Sequence, residues 1–144
     1  TLKNINLKIK DNNKLCLIFN NKKINKKINK EKNNIFLVYP NINIENINFD
    51  LIFNFDNKKI KNIKCDNIVT NNEVTKYSCN HIKKIFKKIN IKLGKELFII
   101  LITLFQYRSS KIYIYGLNYK KNKSLEEILF FRYLIKKNII KYVN

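Results

Sequence analysis

The sequence predicts an α+β fold, with two small strand-rich modules meeting near residues 70 to 80. Three observations predict it. Short stretches alternate apolar and polar residues, as at Ile5, Leu7 and Ile9 against Asn6, Lys8 and Lys10, the period of a half-buried strand. Residues 57–78 lose that pattern and turn polar and irregular. The C-terminal part then runs strand, capped helix, strand.

The elements follow in order. After the strand at residues 5–9, Asp11, Asn12 and Asn13 signal a turn, and "KLCLIF" reads as a second strand. Residues 20–34 hold two isoleucines among basic and polar side chains and read as a solvated basic loop, or an arm that orders on nucleic acid. "IFLVY" is a strand stopped by Pro40, and "NINIENINFDLIFNFD" supplies one or two more. "KKINIKLG" reads as a strand ending at Gly94, "LFIILITLFQ" as one or two buried strands, "YRSS" as a turn and "KIYIY" as a strand. Ser124 with Glu127 three residues on is a capping box, so a helix follows. Leu125, Ile128, Leu129, Tyr133 and Ile135 form its apolar face, widened by Phe130, Phe131 and Leu134, which predicts cover from a sheet and from a partner. "IIKYV" closes the chain as a short strand.

Composition narrows the function. Lys and Arg number 30 against 10 Asp and Glu, a formal net charge of +20 over 144 residues. Self-repulsion on that scale is relieved by an anionic partner, of which nucleic acid is the commonest. Lys, Asn and Ile make up more than half the chain, while Ala, Met and Trp are absent. That skew follows A/T-rich codons and points to a reduced organelle, a relict plastid ahead of a mitochondrion. The initiator Met is missing, so the start is either processed or lies outside these residues, and no stretch reads as a targeting segment. The longest apolar run, residues 97–105, is far short of the ~20 residues a spanning helix needs, so no membrane is expected.

Catalytic patterns are absent from the sequence. Two glycines, Gly94 and Gly116, cannot build a phosphate-cradling loop. Cys16, Cys65 and Cys79 lack zinc-site spacing, and Cys79 with His81 supplies at most two ligands. Glu126 and Glu127 sit in a helix first turn, where they favour the dipole and the cap. The expectation is no enzyme, no metal, no cofactor and no small-molecule substrate. What remains is basic residues interleaved with aromatics: Tyr119, Lys120, Lys121, Lys123, Arg132, Lys136, Lys137, Lys141 and Tyr142. Lysines neutralise phosphates, and tyrosines stack on exposed bases.

Residues 85–144 resemble the large-subunit ribosomal protein six family, the universal L-six family. The resemblance rests on the strand "KIYIY", the loop opening Gly116-Leu117-Asn118, the helix at residues 124–135, the terminal Ile140-Lys141-Tyr142, and "INIKLGKE" with Leu93 and Gly94 in register. Asn118 stands where the family has Asp, and the family's Ser-His-Pro, Pro-Glu-Pro and tail glycines are absent. The resemblance implies two tandem modules, residues 1–78 and 79–144, each a mostly antiparallel β-sheet with a helix packed on one face. It implies a structural constituent of an organellar large ribosomal subunit, with large-subunit rRNA and neighbouring ribosomal proteins as partners. The expected RNA-binding residues are Lys92, Lys95, Tyr119, Lys120, Lys121, Lys123, Arg132, Lys136, Lys137, Asn138, Lys141 and Tyr142, with Gly94 and Gly116 as structural turns. The alternatives are another or an organelle-specific ribosomal protein, or a structural or assembly protein that docks through its apolar helix without binding RNA.

Overall fold

The computed structural model describes residues 14–19, 33–38, 49–54, 65, 67–70, 84, 85, 87, 88, 94–107, 111–121 and 123–143. Its elements are β1 (Lys14–Ile18), β2 (Asn33–Val38), β3 (Leu51–Asn54), β4 (Ile68–Thr70), α1 (Lys95–Gln106), β5 (Ile112–Tyr115), α2 (Leu125–Lys136) and β6 (Ile140–Val143). The strand expected at residues 5–9 and residues 20–32 of the expected basic loop lie outside the described residues, while Asn33 and Asn34, expected at the end of that loop, are the first two residues of β2.

The six strands form one sheet in the order β4-β3-β2-β1-β5-β6. Every neighbouring pair is parallel. This overturns the expected pair of mostly antiparallel modules: the fold is α/β. The sheet also draws strands from both sides of residues 78 and 79, with β1 paired to β5 from Leu15↔Ile112 to Ile18↔Tyr115.

The physical reason lies in α1. Its sequence, KELFIILITLFQ, carries no charged residue from Leu97 to Gln106 and only Thr103 breaks the apolar run, too little to betray a helical period. Read as strand, it deletes the crossover that parallel neighbours require. Its 12 residues exceed an ordinary strand, and Leu97 and Ile99 through Thr103 are buried around most of its circumference. Upstream, Lys87 and Lys88 are helical, not the start of a strand.

Right-handed crossovers then explain the layering. The β4→β5 and β5→β6 connections move the same way across the sheet, which puts α1 and α2 on the same face. The core agrees. Leu15, Leu17, Phe36, Leu51, Phe53, Ile112, Ile114 and Ile140 on that face join Leu97 and Ile100 of α1 and Phe131 and Leu134 of α2 in one cluster. Cys16, Ile18, Ile35 and Ile52, on the opposite face, are also buried, as a parallel sheet requires. At the amino edge Asp50 stitches strand starts together: its carboxylate accepts from Ile35 N at 2.7 Å, and its carbonyl accepts from Asn67 Nδ2 at 3.2 Å.

Candidate nucleic-acid interface

Both helices run against the strands, so their N-termini stand at the carboxyl edge of the sheet. The chain reverses its direction of winding between β1 and β5. In doubly wound sheets, ligands bind outside the carboxyl ends of the strands at such a switch point. The loop after β5, at residues 116–124, lies there.

That loop is fixed at several points. Gly116 has φ 71°, the left-handed turn that ends β5. Leu117 is buried, and its carbonyl accepts from Tyr142 Oη at 2.5 Å. Asn118 Oδ1 accepts from Lys120 N at 3.2 Å, and the Asn118 carbonyl from Lys121 N at 3.3 Å. This Asx turn needs only an acceptor side chain, which Asn118 supplies. The Tyr119 ring lies against Phe131 at 6.0 Å and edge-on to Tyr142 at 5.1 Å. Ser124 then caps α2, its Oγ accepting from Glu127 N at 3.2 Å.

The expected binding residues divide by position. Lys120 and Lys121 are exposed at the loop tip. Lys95 is exposed in the first turn of α1, at the same edge. Lys123 is different: its side chain is only 9% exposed and its Nζ meets Glu96 Oε2 at 2.6 Å, so it braces α1 against α2. Tyr119 and Tyr142 spend ring surface on each other and on Phe131, which leaves less for stacking bases. Arg132 is exposed on α2. Lys136, Lys137 and Asn138 lie at the far end of that helix, ~18 Å from the loop for its 12 residues. Lys92 lies outside the described residues, as do Cys79 and His81.

Asn138 has a backbone task. It adopts φ 54°, and the bonds Asn138 N→Ile135 O and Ile139 N→Leu134 O, each 3.0 Å, close a Schellman cap. Gly94 also departs from its expected role. Its φ of −75° is ordinary, so it is not a left-handed turn but the N-cap of α1. A Cβ there would run into the Glu127 carboxylate.

Lys14 and Tyr113 were missed. Lys14 Nζ lies 4.9 Å from the Tyr113 ring centroid, with Lys141 Nζ at 5.7 Å. The outward position of Tyr113 was legible in the alternation of "KIYIY". The approach of Lys14 was not, because β1 and β5 pair across most of the chain.

Burial pushes the Cys16 thiol up to about 11, against smaller opposing effects of a Tyr115 hydrogen bond and the Lys14 charge. Burial likewise raises Tyr107 and Tyr142. Among the described residues no group of three His, Cys, Asp or Glu side chains is placed to hold a metal ion. No described helix is long and apolar enough to cross a membrane.

No protein-family model matches the chain, no curated protein matches it, and no solved structure matches its fold.

Proposed function

We propose that the protein is a non-catalytic RNA-binding component of a ribosome, a structural constituent of an organellar large subunit that contacts large-subunit rRNA. The observation that carries this reading is the braced loop at residues 116–124, which offers Lys120 and Lys121 to solvent on a chain of formal charge +20. Lysines position a protein on phosphates without reading bases. A loop already held by Gly116, Asn118, Tyr119 and Tyr142 loses little freedom on binding. The residues that follow β1, 19–32, include no glycine, so the tight phosphate-binding turn of dinucleotide enzymes has no counterpart there. No reaction is assigned.

The test is the salt dependence of binding to large-subunit rRNA. Affinity should fall steeply as salt rises, with a log–log slope near −0.7 to −0.9 for each phosphate neutralised. Charge reversal at Lys120 and Lys121 should flatten that slope. Binding that is flat with salt would sink the reading.

A specific observation also favours docking through α2. Leu125, Leu129 and Tyr133 are 67%, 53% and 51% exposed, and their spacing of four residues sets them in one stripe. We assign that stripe to a neighbouring ribosomal protein. Leu129→Lys should release the protein from the particle while leaving binding to naked rRNA intact.

A further inference from the structure

We propose that the sheet face opposite α1 and α2, at its β1–β5–β6 end, is a platform for unpaired RNA, with a base set against Tyr113 and the adjoining phosphates held by Lys14 and Lys141. The inference rests on the RNA-binding reading and adds a surface separate from the loop after β5.

The parallel register sets Tyr113 and Lys141 side by side, while Cys16, the neighbour of Tyr113 on β1, is buried, so the open surface lies over β5, β6 and the start of β1 at Lys14. Lys14 and Lys141 reach the same ring from the flanking strands, at 4.9 and 5.7 Å from its centroid. Both lysines are exposed and Tyr113 is half-buried. Strand alternation puts exposed Lys111, two residues before Tyr113, on this face as well. Among the described residues no carboxylate pairs with Lys14 or Lys141. Two ammonium groups converging on one ring repel each other, and a phosphate between them turns that cost into attraction. The ring supplies what a bare cation pair lacks, a π face that a base takes as the two ammonium groups swing from it onto the adjoining phosphates. Paired A-form RNA hides its bases, so this combination of ring and lysines favours unpaired strands. A protein partner would want exposed apolar side chains, whereas lysines dominate here.

The experiment is fluorescence anisotropy with a short unstructured oligoribonucleotide and with its duplex, using the full chain and variants verified as folded by circular dichroism. Tyr113→Leu should weaken single-strand binding about five- to 150-fold, the range for losing one stacked base. Tyr113→Phe should restore it, and duplex binding should respond to neither. Lys14→Ala with Lys141→Ala, both at exposed positions, should reduce the single-strand salt slope by about 1.4. Wild-type affinity in folded Tyr113→Leu, or equal losses for single strand and duplex, would overturn the platform. If only reversal of Lys120 and Lys121 weakens binding, the platform fails and the RNA reading stands. If the wild type binds no RNA at low salt, both fail.

Discussion

The Gly94 amide donates to Glu127 Oε1 at 2.9 Å, joining the N-cap of α1 to the third residue of α2. A capping box would turn that carboxylate back on Ser124. Here it crosses to the other helix, while Lys123 and Glu96 span the same gap with opposite polarity. The buried carboxylate thus sits where two helix N-termini converge, a favourable field for negative charge.

The first prediction follows from this brace. Gly94→Ala should destabilise by about 1–3 kcal/mol, because it displaces the carboxylate from a buried hydrogen bond. Glu127→Gln should cost less, since its amide oxygen still accepts. In urea denaturation, Gly94→Ala combined with Glu127→Ala should cost clearly less than the sum of the two. Simple additivity would disprove the coupling.

The two left-handed residues among those described, Gly116 and Asn138, should respond in opposite directions. Gly116→Ala should cost about 1 kcal/mol or more, because a side chain resists that backbone conformation. Asn138→Gly should be neutral or stabilising by a few tenths of a kcal/mol, and Asn138→Val destabilising by about 1–2 kcal/mol. Thermal melts of the three variants check the order. A stable Gly116→Ala would mean that the turn after β5 has another solution.

Neighbouring lysines should separate binding from stability. Lys120→Glu with Lys121→Glu should cut rRNA affinity and leave the melting temperature within a degree or so, as exposed substitutions do. Lys123→Ala should lower stability by about 1 kcal/mol through the lost ion pair and change RNA affinity less. The reverse pattern in paired melting and binding assays would reassign the loop.

Alkaline pH tests the buried thiol. The folded state holds the Cys16 proton up to about 11 against an ordinary value of 9.0. That stabilisation is complete below pH 9.0 and is lost as pH rises to about 11. The tyrosines raised by burial act in the same sense. Cys16→Ala should lower stability at neutral pH and flatten the alkaline decline measured by urea midpoint. Thiol reagents should label half-buried Cys65 well before Cys16.

Local chemistry was legible in the sequence wherever one segment carries it whole. β1, β3, β5 and β6 fall within stretches whose apolar pattern marks them as strands, β2 begins two residues earlier, at Asn33 inside the segment read as loop, and α2 begins at the Ser124 cap that announces it. β4, only three residues long, drowned in the polar run around it. α1 was misread because an apolar run broken only by Thr103 has no visible period, and with it went the evidence for parallel pairing. At the candidate site, exposed Lys120 and Lys121 stand where the sequence put them. The internal duty of Lys123 was hidden, because Glu96 lies 27 residues away. The role of Gly94 depends on a carboxylate 33 residues downstream, which no local pattern reveals.

The place of β1 in the sheet has a kinetic consequence. It is the first described strand to leave the ribosome, yet one of its two neighbours, β5, begins nearly a hundred residues later. Until then the carbonyl and amide groups on that side of β1 have no native partner, an open edge on an apolar strand in a chain still being made. Contacts of such long sequence separation fold slowly, and half-made intermediates of this kind aggregate. The nascent chain therefore gains from its own charge, since lysines spread along its length keep unfinished copies apart until β5 and β6 close the sheet.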